Sequence, residues 1–279
     1  MNIDSHQHFW RYNPQRDSWI TQEMSVLKQD FLPDDLIGEL RAHEIDGCIA
    51  VQADQSEAET EFLLSLAARY DSIIRAVIGW VDLSSPNLRE RLAYFAQFKK
   101  LRGLRHIVES EPDDRFLLRQ DFCRGIAALE DFNLTYDILI YPRQLPAAID
   151  LAERFPDQKF VLDHMAKPPI RRGEIDAWAT QIRMLAAAPN VFCKLSGLVT
   201  EAQWTDWRAT DFDPYLDVVV EAFGIDRLMF GSDWPVCLLA ASYRQVRELV
   251  VSYAGRLPQD SQSKIFGLNA SRFYGLNIP

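Results

Sequence analysis

The chain has 279 residues, 48% of them hydrophobic, and 30 Lys and Arg stand against 40 Asp and Glu for a net charge of −10. That length suits one large domain better than two small ones, and the acidic balance disfavours nucleic acid and anionic membranes as partners while leaving room for a small substrate in a pocket. No stretch reaches the roughly 20 apolar residues that span a bilayer, and no basic segment followed by an apolar run opens the chain, so no signal peptide is expected.

Short β-rich runs alternate with amphipathic segments along the chain. A first strand is expected over 2–8. A long irregular stretch follows, 9–32, holding Trp10, Tyr12, Trp19 and Phe31; loops of this length inside a compact domain are usually functional. A helix over 33–44 opens on Pro33 and sets Leu36, Ile37 and Leu40 on one side. Next come a strand over 48–54 and a helix over 56–70, with Ser56 and Glu59 at capping-box spacing. The alternation continues with strands over 76–82, 101–107, 134–140, 159–165, 191–197 and 227–233. Helices are expected over 86–98, 117–130, 144–155, 175–187, 214–223 and 243–253, and a tail over 260–276 reads as two more short helices. Strands alternating with helices imply right-handed crossovers and a parallel sheet, and eight of each close a single-domain (β/α)8 TIM barrel over 1–279, with the 9–32 loop over its mouth. A doubly wound open sheet is the structural alternative, but no Gly-x-Gly-x-x-Gly follows the first strand. Cys48, Cys123, Cys193 and Cys237 form no CxxC pair and are expected as buried free thiols in a reducing cytoplasm.

A barrel of this kind carries its site at the C-terminal ends of its strands, and the polar residues concentrate there. Strand one ends in His6-Gln7-His8, whose alternate side chains share a face. The next strands end at Gln52, near Trp80, and in Arg105-His106. Strand five ends near Tyr141, with Asp137 earlier. Strand six ends in Asp163-His164, with Lys167 just beyond; strand seven carries Lys194 and Ser196; strand eight ends in Asp233. A lone histidine at a strand end is more often a satisfied packing residue, and Asp233 alone would pass for a turn residue ahead of Trp234-Pro235. Four histidines converging on one mouth are hard to explain as packing, because each needs a partner when buried. The fifth, His43, falls on a helix and is given no role. Imidazoles with one carboxylate suit Zn²⁺, Mn²⁺ or Fe²⁺ over Mg²⁺ or Ca²⁺. An Asp beside a water can take its proton.

At these residues the chain resembles the amidohydrolase superfamily: the opening Ile3-Asp4-Ser5-His6-Gln7-His8-Phe9-Trp10 and the closing Gly231-Ser232-Asp233-Trp234-Pro235 are its two marks. More narrowly it is similar to the sugar-lactone hydrolases that include L-fuconolactonase and L-rhamnonolactonase, through Leu101-Arg102-Gly103-Leu104-Arg105-His106, Leu162-Asp163-His164-Met165-Ala166-Lys167-Pro168, Lys194-Leu195-Ser196-Gly197-Leu198 and Asn269-Ala270-Ser271-Arg272-Phe273-Tyr274-Gly275-Leu276. The resemblance implies a (β/α)8 barrel that hydrolyses a bond with an activated water. His6, His8 and Asp233 would be metal-binding or water-orienting, and His164 would correspond to the strand-six histidine. The strand-five histidine and the bridging lysine of strand four are missing, which argues against a two-metal site and leaves a single zinc, loosely held or dispensable.

The implied substrate is a sugar (aldono-) lactone. Asp233, His164 and His106 are the expected catalytic residues. Arg105, Lys167, Lys194 and Gln52 are the expected polar contacts to substrate, and Trp10, Trp19 and Trp234 are placed to stack on a sugar ring. Two other readings compete: a metal-dependent decarboxylase of a small aromatic acid, and a non-catalytic barrel that binds a sugar acid. The resemblance sets no oligomeric state.

Overall fold

The computed structural model describes residues 1–276; residues 277–279, the end of the expected single domain, lie outside the described residues. Eight parallel strands stand in chain order in one sheet: β1 Ile3–Gln7, β2 Gly47–Val51, β3 Ile74–Gly79, β4 Leu101–Ile107, β5 Thr135–Leu139, β6 Phe160–Leu162, β7 Val191–Leu195 and β8 Leu228–Phe230. The sheet closes on itself just past β8. Gln7 bridges in parallel to Trp234, His8 N donates to the Trp234 carbonyl at 2.7 Å, and Asp233 N donates to the His6 carbonyl at 2.8 Å. The architecture is a (β/α)8 barrel.

The helices that connect the strands are α1 Pro33–Ala42, α2 Glu57–Arg69, α3 Leu88–Phe95, α4 Gln120–Leu129, α5 Leu145–Arg154, α6 Asp176–Ala186, α7 Asp213–Phe223 and α8 Tyr243–Ala254. Their starts obey local chemistry. Ser56 Oγ accepts from Glu59 N at 3.1 Å to cap α2, Ser242 Oγ accepts from Gln245 N at 3.2 Å to cap α8, and Pro33 opens α1, where its missing N–H costs nothing. The apolar side chains facing out from the strands and in from the helices form one large buried shell. Inside the barrel a second, smaller cluster gathers Ile3, Ile49, Val51, Ile78, Val161 and Met229. The tail helix Asn269–Tyr274 lays Ala270, Phe273 and Tyr274 against that cluster. It thus covers the end of the barrel opposite the site. All four cysteines are free and buried.

Two departures from simple strand geometry shape the mouth of the barrel. The pairing of β1 with β2 slips between Asp4 and Gln7. Such a bulge re-aims side chains: Ile3 lies in the inner cluster and Asp4 turns outward to the Tyr243 hydroxyl, yet His6 and His8 both face inward. Strands β6 and β8 are only three residues long because the backbone leaves the extended region early. His164, Met165, Ala166 and Lys167 have φ of 53°, 53°, 58° and 51°, and Asp233 has φ 57°. Left-handed backbone is unfavourable for side chains with a Cβ, by about 1–2 kcal/mol per residue, and conformations of this kind cluster at functional sites.

Candidate active site

The bulge in β1 and the left-handed turn after β6 bring imidazoles together. His6 Nε2 lies 3.3 Å from His8 Nε2, and the rings of His6 and His164 stand 4.4 Å apart between centroids. Asp233, swung inward by its own left-handed backbone, sets Oδ1 at 3.4 Å from His8 Nε2, 3.8 Å from His6 Nε2 and 3.9 Å from His164 Nε2. Two glycines make this approach possible. A Cβ on Gly231 would lie 2.5 Å from His6 Cβ, and one on Gly197 would lie 2.5 Å from His164 Nδ1. The local fold therefore permits no side chain at either position without displacing a histidine.

The electrostatics suit a metal. Burial lowers His6 well below the ordinary histidine range, and it lowers His164 to about 4 against the pull of Asp233 and Asp163. Burial works to raise Asp233, but attraction to His164, a hydrogen bond from His8 and attraction to His6 outweigh it and hold the carboxyl well below the usual range. The result is an ionised carboxylate beside the lowered imidazoles of His6 and His164, the kind of donor set a divalent cation requires. The second ring nitrogens support that assignment. His8 Nδ1 lies 2.8 Å from the Val51 carbonyl, which can only accept, so Nδ1 carries a proton and Nε2 is the nitrogen turned to the site. His164 Nδ1 contacts Ser196 Oγ at 2.9 Å. His6, His8 and Asp233 form one buried group with metal-ligand spacing, and His6, Asp163 and His164 form another.

Beneath the imidazoles lies a buried layer of charge. Lys194 Nζ sits 2.5 Å from Asp137 Oδ2, 2.9 Å from Asp163 Oδ1 and 3.2 Å from His6 Nδ1. Arg105 donates to Asp163 Oδ2 at 3.0 Å and to the Gln52 carbonyl at 2.5 Å, and its NH1 points at His6 Nε2 from 3.4 Å. Burial pushes Asp137 up to about 6 despite Lys194, whereas Lys194, His6 and Arg105 overcome burial to hold Asp163 well below the carboxylate range. At pH 7 the layer thus holds two anions and two cations.

Several expected roles need correction. His106 is the neighbour of Arg105 on β4, and adjacent strand residues face opposite sides. Arg105 faces the barrel interior, so His106 turns to the helix layer, stacked on Phe116 at 4.7 Å and paired with Glu111 at 2.7 Å. It does not join the other histidines. Lys194 and Gln52, expected to touch substrate, are fully buried, and Gln52 is spent on Arg105, donating to its carbonyl at 3.1 Å. Trp10 and Trp234 are buried too. Phe31 packs edge-on against both, at 5.4 and 5.2 Å, which pins the 9–32 segment to the end of β8 and leaves neither indole face open to a sugar. Trp19 packs against Trp10 at 6.2 Å and is 43% exposed. Lys167 does stand at the mouth. Its Nζ is 2.6 Å from Glu109 and 5.1 Å above the Tyr141 ring.

Asp137 and Asp163, noted at strands five and six but given no role, belong to the buried layer with Tyr274, and Tyr274, Glu109 and Glu201 escape a reading by strand ends, the two glutamates belonging to the mouth. Burial pushes Glu201 up to about 7, with Lys167 pulling against it. The available signal was a charge inside an otherwise apolar strand: Asp137 in Thr135–Leu139 and Lys194 in Val191–Leu195. A buried charge has to be paired, and these two pair with each other.

With the geometry in place, similarity to known proteins is informative. A family model described as Amidohydrolase matches residues 3–276. An L-fucono-1,5-lactonase from Burkholderia multivorans is 46% identical over 290 residues, covering 100% of this chain and 97% of that protein. A second L-fucono-1,5-lactonase, from Burkholderia ambifaria, is 37% identical and covers 99% of this chain and 96% of its own length. A crystal structure of an amidohydrolase from Burkholderia multivorans with bound zinc superposes with a TM-score of 0.94 at 45% identity, covering 99% of this chain and 100% of that one. The chain belongs to the amidohydrolase family.

Proposed function

We propose that this protein is a lactonase: it opens a sugar lactone of the L-fucono-1,5-lactone type to the aldonic acid with a water activated at Asp233. The observation that carries the reading is the buried Asp233 carboxylate, whose Oδ1 lies 3.4 Å from His8 Nε2, 3.8 Å from His6 Nε2 and 3.9 Å from His164 Nε2, in a chain similar over its whole length to two L-fucono-1,5-lactonases. His6, His8 and Asp233 have the spacing to hold one zinc ion, and an amidohydrolase of 45% identity was crystallised with bound zinc. When bound, zinc lowers the pKa of a coordinated water and polarises a carbonyl.

The chain's own groups account for the proton and charge movements. Asp233 Oδ1 takes a proton from water as the oxygen bonds to the lactone carbonyl carbon. Negative charge develops on the carbonyl oxygen, and the Arg105 guanidinium, aimed at the same space and already fixed by Asp163 and Gln52, stabilises it without reorganising. The tetrahedral centre collapses, the bond to the ring oxygen breaks, and that oxygen receives the proton from Asp233 as a hydroxyl. The new carboxylic acid then ionises to solvent. His164 shapes the pocket beside Asp233. Lys167 at the mouth, held by Glu109, is placed to hydrogen-bond substrate hydroxyls. The buried free thiols fit a reducing cytoplasm.

The test is proton release followed with a pH indicator across a panel of aldono-lactones, with and without chelation and zinc restoration, alongside CO₂ release from aromatic acids. Acid production from a sugar lactone without CO₂ is the expected result. No proton release from any lactone, or CO₂ from an aromatic acid, would overturn the reading.

A further inference from the structure

We propose that the C-terminal tail is a working part of the site: Tyr274 is a positioning residue that, through Asp137 and Lys194, sets which nitrogen of His6 carries its proton. The inference rests on the metal-holding role of His6 in the lactonase reading.

The competition lies at His6 Nδ1. Asp163 Oδ1, an acceptor, stands 3.3 Å from it, and Lys194 Nζ, a donor, stands 3.2 Å from it. If Asp163 wins, the ring proton sits on Nδ1 and Nε2 offers its lone pair toward His8 and Asp233. If Lys194 wins, its N–H takes the Nδ1 lone pair, the proton moves to Nε2 against the opposition of Arg105, whose guanidinium faces that nitrogen at 3.4 Å, and Nε2 can no longer ligate a metal. Lys194 is restrained by its short contact with Asp137 at 2.5 Å together with Asp163 Oδ1 at 2.9 Å, and of the two only Asp137 draws it away from His6 Nδ1, since Asp163 Oδ1 itself lies against that nitrogen. What anchors Asp137 is the Tyr274 hydroxyl, which donates to the carboxylate at 3.0 Å from Oδ2 and 3.2 Å from Oδ1. Tyr274 reaches this point because the tail helix packs under the barrel, beside Phe273. Every member of the chain is buried, so solvent cannot substitute for a missing partner. Burial already pushes Asp137 up to about 6, and the phenol bond favours its charged form. Without the hydroxyl, Asp137 loosens its hold and Lys194 turns to His6.

The experiment uses the full chain with Tyr274→Phe, which removes one oxygen and keeps the ring, and Asp137→Asn as a second variant should the first fold poorly. Phe273→Leu is the packing control. Three quantities are read: zinc affinity by competition with a chromophoric chelator, the His6 tautomer by nitrogen NMR of ¹⁵N-histidine protein without metal, and kcat/KM on a lactone. Tyr274→Phe should weaken zinc binding roughly tenfold or more, the scale of outer-shell effects at metal sites, and shift His6 toward the Nε2–H form. Phe273→Leu should lower the melting temperature and leave both unchanged. Wild-type zinc affinity and tautomer in Tyr274→Phe, or an equal loss in Phe273→Leu, would overturn the proposal. If Tyr274→Phe does not fold, wild-type zinc affinity and tautomer in Asp137→Asn would overturn it instead. A wild-type protein that opens no lactone would sink the lactonase reading alone. One that binds no zinc still reports the tautomer.

Discussion

Lys194→Met removes one cation from the buried layer and leaves a side chain of similar reach. Before the change, Asp137 and Asp163 face Lys194 and Arg105, and the layer is neutral at pH 7. After it, Asp163 keeps Arg105, but Asp137 retains only the Tyr274 hydroxyl. Lys194, Asp137 and Asp163 are all 0% exposed, so water does not discount the loss. Removing one partner of such a pair costs about 3–5 kcal/mol, which in a domain of this size lowers the melting temperature by ~10 °C. Adding Asp137→Asn restores neutrality and should recover about half of the deficit, ~1.5–2.5 kcal/mol. The sign of the pH dependence follows. Without Lys194 the folded-state pKa of Asp137 rises further above its unfolded value, so the folded state holds a proton the unfolded chain has lost. Stability then falls as pH rises, and the deficit should widen between pH 5 and pH 8. Urea denaturation of the single and double variants at both pH values measures each quantity. A single-variant cost under about 1 kcal/mol, or a double variant no better than the single, would refute the charge-balance argument.

Asp233→Asn keeps the shape of the site but cannot take a proton; kcat/KM on a lactone should fall by about 10²–10⁴-fold with the fold intact, and a loss of less than about tenfold would remove Asp233 as the base. His106→Leu should leave kcat/KM within about threefold of wild type, because the ring packs on Phe116 outside the imidazole group; a hundredfold drop in the same assay would return His106 to the chemistry. Glu59, at the start of α2, is pushed by burial from 4.5 up to about 7. Its folded state therefore keeps a proton between those values, and stability declines as pH rises through that window. Glu59→Gln removes the titration and should unfold at higher urea than wild type above pH 7, by about 1–3 kcal/mol, with no advantage below pH 4.5; a gain independent of pH would rule out this origin.

The alternation of β-rich and amphipathic segments was legible because periodicity is a local property, and so was the number of strands. Strand ends were legible less well. Segments 159–165 and 227–233 read as seven-residue strands, but the backbone turns left-handed at His164 and Asp233, and nothing in those side chains announces it. The same turns carry His164 and Asp233 into the site, so the sequence marked both residues without the reason for their convergence. His106 was misread because it and Arg105 were both assigned to the mouth, although adjacent residues of one strand face opposite sides.

Local pattern and residue type alone determined the eightfold β/α repeat, the imidazole pair of β1 and the carboxylate after β8, since each depends on spacing within a few residues. Only the closed barrel decided which charges meet. Asp137, Lys194, Asp163 and Tyr274 lie on four separate elements, and their pairing follows from the shared interior that closure creates. Burial there forbids an unpaired charge, and so it turns distant residues into one network beneath His6.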